Sequence, residues 1–200
     1  MGSEQFEGFV RVSTVLDYFA EPGLVDWMVK KGADAKKLAK HAMKIGTAVD
    51  QAIKEFVLTG VYGKLKTIEA ISGLDGFKRW HDDYKPSLSV GKRLFSDSHH
   101  LTGEPDLYWG DRIIDIKVAR EIRGKYHLQT GAYALMDSKN ATGILRLHKQ
   151  LGDYEYVVRD GEAVKADGYC FLWLYDAYCH LESLQGKKES YADYVADTGI

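Results

Sequence analysis

The segment from Gly103 to Lys117 (GEPDLYWGDRIIDIK) constrains the fold of this 200-residue chain more than any other segment. Apolar residues recur at every second position on both sides of Gly110-Asp111, which is the pattern of two half-buried strands. Glycine supplies the positive φ that a type II′ turn needs, so the dipeptide predicts a two-residue hairpin. Strands paired in this way have residue numbers with a constant sum.

That sum places Asp106 opposite Asp115 and Glu104 opposite Lys117, and the alternation of side chains puts all four on one face. The other face is apolar and carries Leu107, Trp109, Ile114, Ile116 and Val118. A slip by one residue would turn the charged set into the core, so burial specifies this register.

Two carboxylates that face each other across a strand pair repel each other, and the repulsion raises at least one pKa. A divalent cation removes the conflict, because Mg²⁺ prefers hard oxygen ligands. Lys117 stands next to Asp115 on the same face, where an ammonium can orient the attacking water, help to deprotonate it, or stabilise charge on a phosphate. Asp106, Asp115 and Lys117 therefore indicate a Mg²⁺- or Mn²⁺-dependent site for phosphodiester hydrolysis. The alternative is an exposed sheet face with a Glu104–Lys117 ion pair and two solvated aspartates.

The rest of the chain predicts an α/β fold with a mixed central β-sheet. Ser13 is a candidate N-cap for the first helix and Asp160 for the last. The predicted helices are Thr14–Ala20, Leu24–Met43, Thr47–Leu58, Leu74–Tyr84, Gly124–Met136 and one after Asp160. The predicted strands are Lys92–Ser96, Thr102–Trp109, Arg112–Val118, Thr142–His148 and Tyr154–Val158. We expect one domain, with a mainly helical region at 1–88, a catalytic core at 89–160, and a C-terminal helix and tail at 161–200.

The composition is that of a globular protein, with 45% hydrophobic and 28% charged residues. A net charge of −2 excludes a globally basic, histone-like binder, although it leaves room for a basic groove. No segment approaches the roughly 20 apolar residues that span a bilayer, and the N-terminus lacks the apolar run of a signal peptide, so we expect a cytoplasmic protein without membrane contact. Cys170 and Cys179 are expected to be buried, reduced thiols on one helix.

The spacing of these residues resembles a known family. Pro105-Asp106, eight intervening residues and Asp115-Ile116-Lys117 resemble the signature of the PD-(D/E)XK nuclease superfamily. Gln129 and Tyr133, on the predicted helix that follows, resemble the QxxxY motif of its RecB-like branch. That branch includes CRISPR-associated adaptation nucleases, phage exonucleases and the mitochondrial genome-maintenance exonuclease. The helical region from Val12 to Asp50 is similar to that of the phage-type members, so the resemblance covers roughly Arg11 to Val158.

The resemblance implies a restriction-endonuclease-like core and a role for each matching residue. Asp106, Asp115 and the backbone carbonyl of Ile116 would be metal ligands, and Lys117 would be the catalytic lysine. Gln129 and Tyr133 would position that lysine or the DNA backbone. The implied activity is a metal-dependent deoxyribonuclease, most simply an exonuclease on single strands or duplex ends, as in phage replication, recombination or repair. A single-strand or structure-selective endonuclease and a non-catalytic DNA-binding protein are the alternatives.

The chain departs from the family pattern at two points. Asp50 stands where the family usually has a metal-binding histidine, and it is either a substituted metal ligand or a boundary aspartate paired with a nearby lysine. The chain also lacks the cysteine set of the iron–sulfur members, because such a cluster usually takes four thiolates.

Several other groups are candidates for DNA contact. Arg120, Arg123 and Lys125 follow the predicted catalytic strand directly. The six lysines around the second helix form either a phosphate-binding stripe or an ordinary solvated face; they are Lys30, Lys31, Lys36, Lys37, Lys40 and Lys44. Tyr126 and Trp80 either stack on bases or pack in the protein. His99-His100 are expected to be a loop pair and not a metal site, because adjacent residues on a strand point to opposite faces.

Overall fold

In the computed structural model, which describes residues 8–19 and 23–185, helices dominate the first part of the chain and strands the middle. The helices are α1 (Val12–Tyr18), α2 (Leu24–Lys31), α3 (Ala35–Thr59), α4 (Ile68–Tyr84), α5 (Gly124–Met136) and α6 (Gly161–Leu184). The strands are β1 (Val10–Arg11), β2 (Leu88–Val90), β3 (Leu94–Ser96), β4 (Leu101–Gly103), β5 (Leu107–Trp109), β6 (Arg112–Val118), β7 (Ala141–Leu147) and β8 (Tyr154–Asp160). Short 3₁₀ turns cover Gly32–Asp34 and Asp97–His99.

The central sheet has five strands in the order β2-β5-β6-β7-β8. Strands β6 and β7 pair in parallel, because α5 carries the chain back across the sheet between them, and the other neighbours are antiparallel. A smaller sheet has the order β1-β4-β3. The predicted α/β fold, with a mixed central sheet flanked by helices, is confirmed.

Two apolar clusters cover the two faces of the central sheet. On one face, α3 and α4 pack against Leu107, Ile114 and Ile116 of the hairpin. On the other face, α1, α5 and α6 pack around Ile113. Strand β6 is therefore buried on both sides, and its side chains alternate between the two clusters.

The long helix α3 corrects a predicted boundary. We expected one helix to end at Met43 and another to begin at Thr47, with Gly46 in the gap. The helix instead runs through Gly46, and the chain breaks at Gly32, whose φ is +52°. Burial of Ile45 and Val49 on either side of Gly46 outweighs the modest cost of a glycine inside a helix.

The predicted strand Thr102–Trp109 is wrong as a single strand. It is divided into β4 and β5, which belong to different sheets, and the residues Glu104-Pro105-Asp106 lie between them. Pro105 has no N–H to donate to a ladder, so regular pairing ends beside it. Strand β2, which pairs with β5, was not predicted.

Several smaller features follow from the same elements. Helix α1 begins at Val12 with Arg11 at the N-cap, so Ser13 is not the cap; Ala20, the predicted end, lies outside the described residues. Asp160 does occupy the N-cap position of α6, but its side chain makes no capping hydrogen bond. Cys170 and Cys179 both lie on α6 and are not joined by a disulfide; Cys179 is buried as expected, whereas Cys170 is only partly buried, so the expectation of two buried thiols is wrong for Cys170. No helix in the described part of the chain is long and apolar enough to cross a membrane.

Candidate active site

The hairpin β5–β6 forms with the predicted register. Leu107 pairs with Ile114 and Trp109 with Arg112, which gives the expected constant sum. Gly110 has a φ of +58°, the left-handed value that its place in the turn requires. The turn chemistry and the apolar face together explain why a local pattern was sufficient to fix this register.

Asp106 lies just beyond the last paired residues of the hairpin, and its side chain forms a hydrogen bond with β6. Its Oδ2 accepts a hydrogen bond of 2.7 Å from the backbone N–H of Ile116 on β6. Its backbone carbonyl accepts a hydrogen bond from the N–H of Gly91. The carboxylate thus takes the place of a strand partner at the edge of β6, close enough to Asp115 for the negative charge of Asp115 to raise its pKa.

Asp115 and Lys117 lie two residues apart on β6 and therefore share a face. Asp115 is 1% exposed, and Lys117 Nζ lies 2.7 Å from its Oδ2. The same ammonium lies 5.1 Å from the ring centre of Tyr126 on α5. A buried carboxylate needs such a partner, because an unpaired charge in this position is strongly destabilising.

Helix α3 adds Asp50 and Lys54 to the same cluster. Lys54 Nζ lies 3.1 Å from Asp50 Oδ2 and 3.9 Å from Asp106 Oδ1. The expected alternative for Asp50, a boundary aspartate paired with a nearby lysine, is therefore seen in this structure. Asp50 Oδ1, however, is buried and has no hydrogen-bond partner among the described residues.

Helix α5 presents Gln129 and Tyr133 from the opposite side. They are one turn apart, and Gln129 Nε2 donates a 2.9 Å hydrogen bond to the Tyr133 hydroxyl. The Tyr133 ring packs so closely on Gly103 that a Cβ at position 103 would overlap with it. Burial and the charge of Asp115 raise the pKa of Tyr133 to about 12.

The pKa values in the cluster reflect carboxylates that lie close together and are buried from solvent. Burial, followed by the charge of Asp115, raises the pKa of Asp106 to about 7. Burial also raises the pKa of Asp115, against the opposing effect of Lys117. Burial alone would lower the pKa of Lys117, but the charges of Asp115 and Asp106 outweigh it and the pKa is raised. The same balance, with Asp50 and Asp106 as the anions, raises the pKa of Lys54.

The chemistry of the donor set suits a hard divalent cation, although the side chains do not converge on one as they stand. Asp50, Asp106 and Asp115 offer only carboxylate oxygens, and Asp50 Oδ1 lacks a partner. Two ammonium groups pair with these three carboxylates, Lys54 with Asp50 and Asp106 and Lys117 with Asp115. Within the described ranges, no three His, Cys, Asp or Glu side chains are gathered closely enough to form a metal site.

Glu104 is turned away from the position that we predicted for it. Its carboxylate accepts a 2.6 Å hydrogen bond from Arg93 Nη2, and it forms no ion pair with Lys117. The division of the predicted strand at Pro105 explains the difference, because Glu104 no longer lies in the ladder opposite Lys117.

The basic residues after β6 lie in the loop before α5 and in its first turn. Arg120 is exposed, Arg123 Nε lies 3.7 Å from Glu121, and Lys125 Nζ lies 3.6 Å from Asp17 on α1. Exposed pairs of this kind contribute little to stability and exchange readily for other anions. Their contact with DNA stays a prediction.

Two aromatic or histidine candidates are resolved by their surroundings. Trp80 is completely buried among α4 and sheet residues, so it packs in the core. His99 lies in a 3₁₀ turn with Nδ1 near the hydroxyls of Ser96 and Ser98, and His100 has a φ of +48°. The two histidines are a loop pair, as expected.

Sequence reasoning did not single out Lys54 and Arg93. Lys54 could have been found, because it stands one helical turn after Asp50. The partnership of Arg93 with Glu104 had no local signal, because it depends on the pairing of β3 with β4.

No protein-family model matches the sequence, and no curated protein matches it significantly. The structure is similar to that of an alkaline exonuclease from Laribacter hongkongensis, with 14% identity and a TM-score of 0.47 over 92% of this chain and 97% of that chain. A structure of that protein in complex with dAMP gives a TM-score of 0.45, with 14% identity over 92% and 96% of the two chains. A phage-related exonuclease from Haemophilus somnus 129PT is 17% identical, with a TM-score of 0.39 over 85% and 94% of the two chains.

Proposed function

We propose that this protein is a Mg²⁺- or Mn²⁺-dependent deoxyribonuclease that acts as an exonuclease on single strands or duplex ends. One observation carries the proposal: Asp106 leaves its strand, is held by the Ile116 N–H, and stands beside the buried Asp115–Lys117 pair. A structural sheet face has no need to bury this combination, because each unpaired carboxylate costs stability. The exonuclease preference comes from the motif resemblance.

Each residue has a proposed role. Asp106, Asp115, Asp50 and the carbonyl of Ile116 would hold the ion. When bound, such an ion supplies Lewis-acid stabilisation of negative charge on the phosphate. Lys117 would donate to the phosphate or to the attacking water, since its ammonium already lies at the carboxylate edge.

Gln129 and Tyr133 are proposed to position Lys117 and the DNA backbone. Their hydrogen bond fixes the Tyr133 hydroxyl on the α5 side of the cluster, and the buried ring excludes water there. Arg120, Arg123 and Lys125 would contact phosphates next to the scissile bond. Glu121 and Asp17, which pair with Arg123 and Lys125, are exposed, so a phosphate can replace these two carboxylates at little cost.

The test uses linear, circular and single-stranded DNA with Mg²⁺ or Mn²⁺, beside Asp115→Ala and Lys117→Ala variants. Cleavage of linear but not circular DNA supports the exonuclease, and cutting of circles supports the alternative endonuclease. Loss of a charge-stabilising donor typically costs about 10²–10³ in rate, so we expect at least that loss for Lys117→Ala. Binding without cleavage, equal in all three proteins, would show the non-catalytic alternative to be correct.

Asp50 has a separate test, because it stands where the family that the chain resembles usually has a histidine and because its Oδ2 pairs with Lys54. We expect Asp50→Ala to lose cleavage at low Mn²⁺ and to regain part of it in excess Mn²⁺. The reason is that loss of a ligand weakens binding of the ion more than it slows the chemical step. Full activity of the variant at low Mn²⁺ would exclude Asp50 as a ligand. Asp82→Ala is the control, because Asp82 is exposed on α4.

A further inference from the structure

The segment Gly23–Lys44, here called the basic arm, has a surface unlike that of the rest of the molecule. It contains α2, the 3₁₀ turn and the first part of α3. Six lysines against two aspartates give it a net charge of +4, whereas the whole chain has −2. Every residue from Lys36 to Lys44 is exposed, so this part of α3 stands clear of the core.

The lysines of the arm outnumber the acidic groups around them, which are Asp26 and Asp34 within the arm and Glu69 of α4, whose carboxylate pairs with His41. No acidic residue occurs between Ala35 and Val49. Lys36, Lys40 and Lys44 follow one another at one-turn intervals, and like charges at that spacing destabilise a helix. Within the described part of the chain, none of the six lysines of the arm forms an ion pair. A merely solvated helix usually mixes the two signs of charge, so the arrangement fits an external anion.

Helix geometry places these lysines on the side of α3 that carries Asp50. Asp50, Asp106 and Asp115 are here called the carboxylate cluster. At about 100° per residue, Lys36 and Lys40 lie within about 80° of Asp50 around α3, and Lys44 borders them. The buried residues Ile45, Val49 and Ile53 lie on the other side of the helix. At 1.5 Å per residue, Lys36 and Lys40 are about 21 and 15 Å from Asp50 along the axis.

We propose that the basic arm binds the phosphate backbone of a DNA strand and guides that strand along α3 to the carboxylate cluster. The proposal rests on the proposed nuclease function. At a rise of 3.4 Å per nucleotide, the distance from Lys36 to Asp50 corresponds to about six nucleotides. The arm therefore contacts the strand several nucleotides away from the scissile bond and adds affinity without entering the chemistry.

The arm also exposes apolar side chains, including Met28, Val29 and Met43, which raises the alternative of a contact with a second copy of the chain. A twofold contact through this surface would set one arm of charge +4 against another. Phosphates relieve the repulsion among the lysines, whereas a second copy increases it. DNA is therefore the favoured occupant.

The test is the salt dependence of binding to a fluorescent single strand of roughly 20 nucleotides, measured by anisotropy in EDTA so that no cleavage occurs. The variant is the full chain with Lys36→Gln, Lys40→Gln and Lys44→Gln. Each lost phosphate contact lowers the slope of log K against log salt by about 0.7 on single strands, so we expect a decrease of about 2. Affinity at low salt should fall by about tenfold or more, and the two proteins should converge at high salt.

The matched control removes the same charge elsewhere, with Lys64→Gln, Lys66→Gln and Lys165→Gln at exposed positions outside the arm. An unchanged slope in the arm variant, or an equal loss in the control, would overturn the proposal. So would a change in sedimentation of the free protein without a change in DNA affinity, which would identify a second copy as the occupant. If the triple variant loses its helical circular dichroism, Lys40→Glu is compared with Lys66→Glu and is expected to bind more weakly.

The proposed function and the arm proposal fail in different ways. Cleavage of a dinucleotide, which at about 3.4 Å per nucleotide is too short to reach from Asp50 to Lys44, about 9 Å away along α3, should be equal in the unchanged chain and the arm variant. A chain that cleaves no DNA but shows the slope change would contradict the nuclease function alone. A chain that cleaves DNA with an unchanged slope would contradict the arm alone.

Discussion

At the scale of single residues, Lys54 has two carboxylate neighbours and a position that a cation could also take. Its Nζ stands 3.1 Å from Asp50 Oδ2 and 3.9 Å from Asp106 Oδ1, and all three side chains are largely buried. An ammonium and a divalent ion that share the same carboxylates exclude each other. Lys54 therefore stabilises the carboxylates as they stand and would oppose binding of the proposed ion.

We expect Lys54→Met to lower the melting temperature of the metal-free protein and to bind Mn²⁺ more tightly. Removing one partner of a partly buried pair costs roughly 1–3 kcal/mol, between the values of surface and buried pairs. Calorimetric titration with Mn²⁺ and thermal unfolding in EDTA measure the two effects. Lys78→Met is the control, since Lys78 pairs with Asp75 at an exposed site. Equal Mn²⁺ affinity of Lys54→Met and the unchanged protein would contradict the proposed competition between Lys54 and the ion.

Asp106 gives a prediction about pH. Its pKa rises from 3.8 in the unfolded chain to about 7 in the fold, so the folded state binds the proton more tightly. The metal-free protein therefore loses stability as pH rises from about 4 to about 7, where the unfolded carboxyl ionises readily and the folded one does not. An amide at position 106 removes this penalty while still accepting from the Ile116 N–H.

We thus expect Asp106→Asn to unfold at a higher temperature than the unchanged protein at about pH 8 in EDTA, and at nearly the same temperature at about pH 4. A chain of this size shifts by about 2–4 °C for each kcal/mol. Differential scanning fluorimetry measures the shift, with Asp82→Asn as the exposed control. A higher melting temperature at the acidic pH alone would reverse the assigned direction of the pKa shift.

At the scale of elements, local sequence patterns were sufficient to predict the structure where the turn residues and the apolar alternation indicate the same register. The hairpin β5–β6 and the helix Gly124–Met136 were predicted with their boundaries or register, because their signals lie within one short segment. The break at Pro105 and the pairing of β4 with β1 and β3 were not predicted, because they depend on segments that are distant in sequence. The place of Glu104 was wrong for the same reason, whereas the grouping of Asp106, Asp115 and Lys117 survived because it follows from the hairpin.

The two glycines at positions 46 and 110 should respond oppositely to alanine. Gly46 lies inside α3 with open space for a Cβ, so Gly46→Ala should stabilise the protein by about 0.5–1 kcal/mol. Gly110 has a φ of +58°, so Gly110→Ala should destabilise it by about 1–2 kcal/mol. Urea unfolding of the two variants compares them directly. A loss of stability in Gly46→Ala would place the break between two helices at Gly46 after all.

At the scale of the whole molecule, the central sheet lies between two apolar clusters, and the cluster on the α3–α4 side contains the largest buried side chain. Trp80 is completely buried there and packs against Trp109 and Tyr156 with ring-centre distances of 6.1 and 5.3 Å. Trp173 on α6, by contrast, is 70% exposed. The same residue type therefore has two very different roles in one chain.

We expect Trp80→Ala to cost about 3–5 kcal/mol, because it removes a large core side chain and leaves a cavity. Trp173→Ala should change stability by about 0.5 kcal/mol or less, as exposed substitutions usually do. Guanidinium unfolding followed by circular dichroism gives both values. Comparable costs for the two variants would mean that α6 is covered in solution by a contact that the described residues do not make.

The close approach of Tyr133 to Gly103 limits the order in which the two positions can change over evolutionary time. A side chain at position 103 can be accommodated only after the ring at position 133 has been lost. Once a larger residue occupies position 103, the tyrosine has no room to return. Descendants of this chain that retain the tyrosine should therefore also retain the glycine.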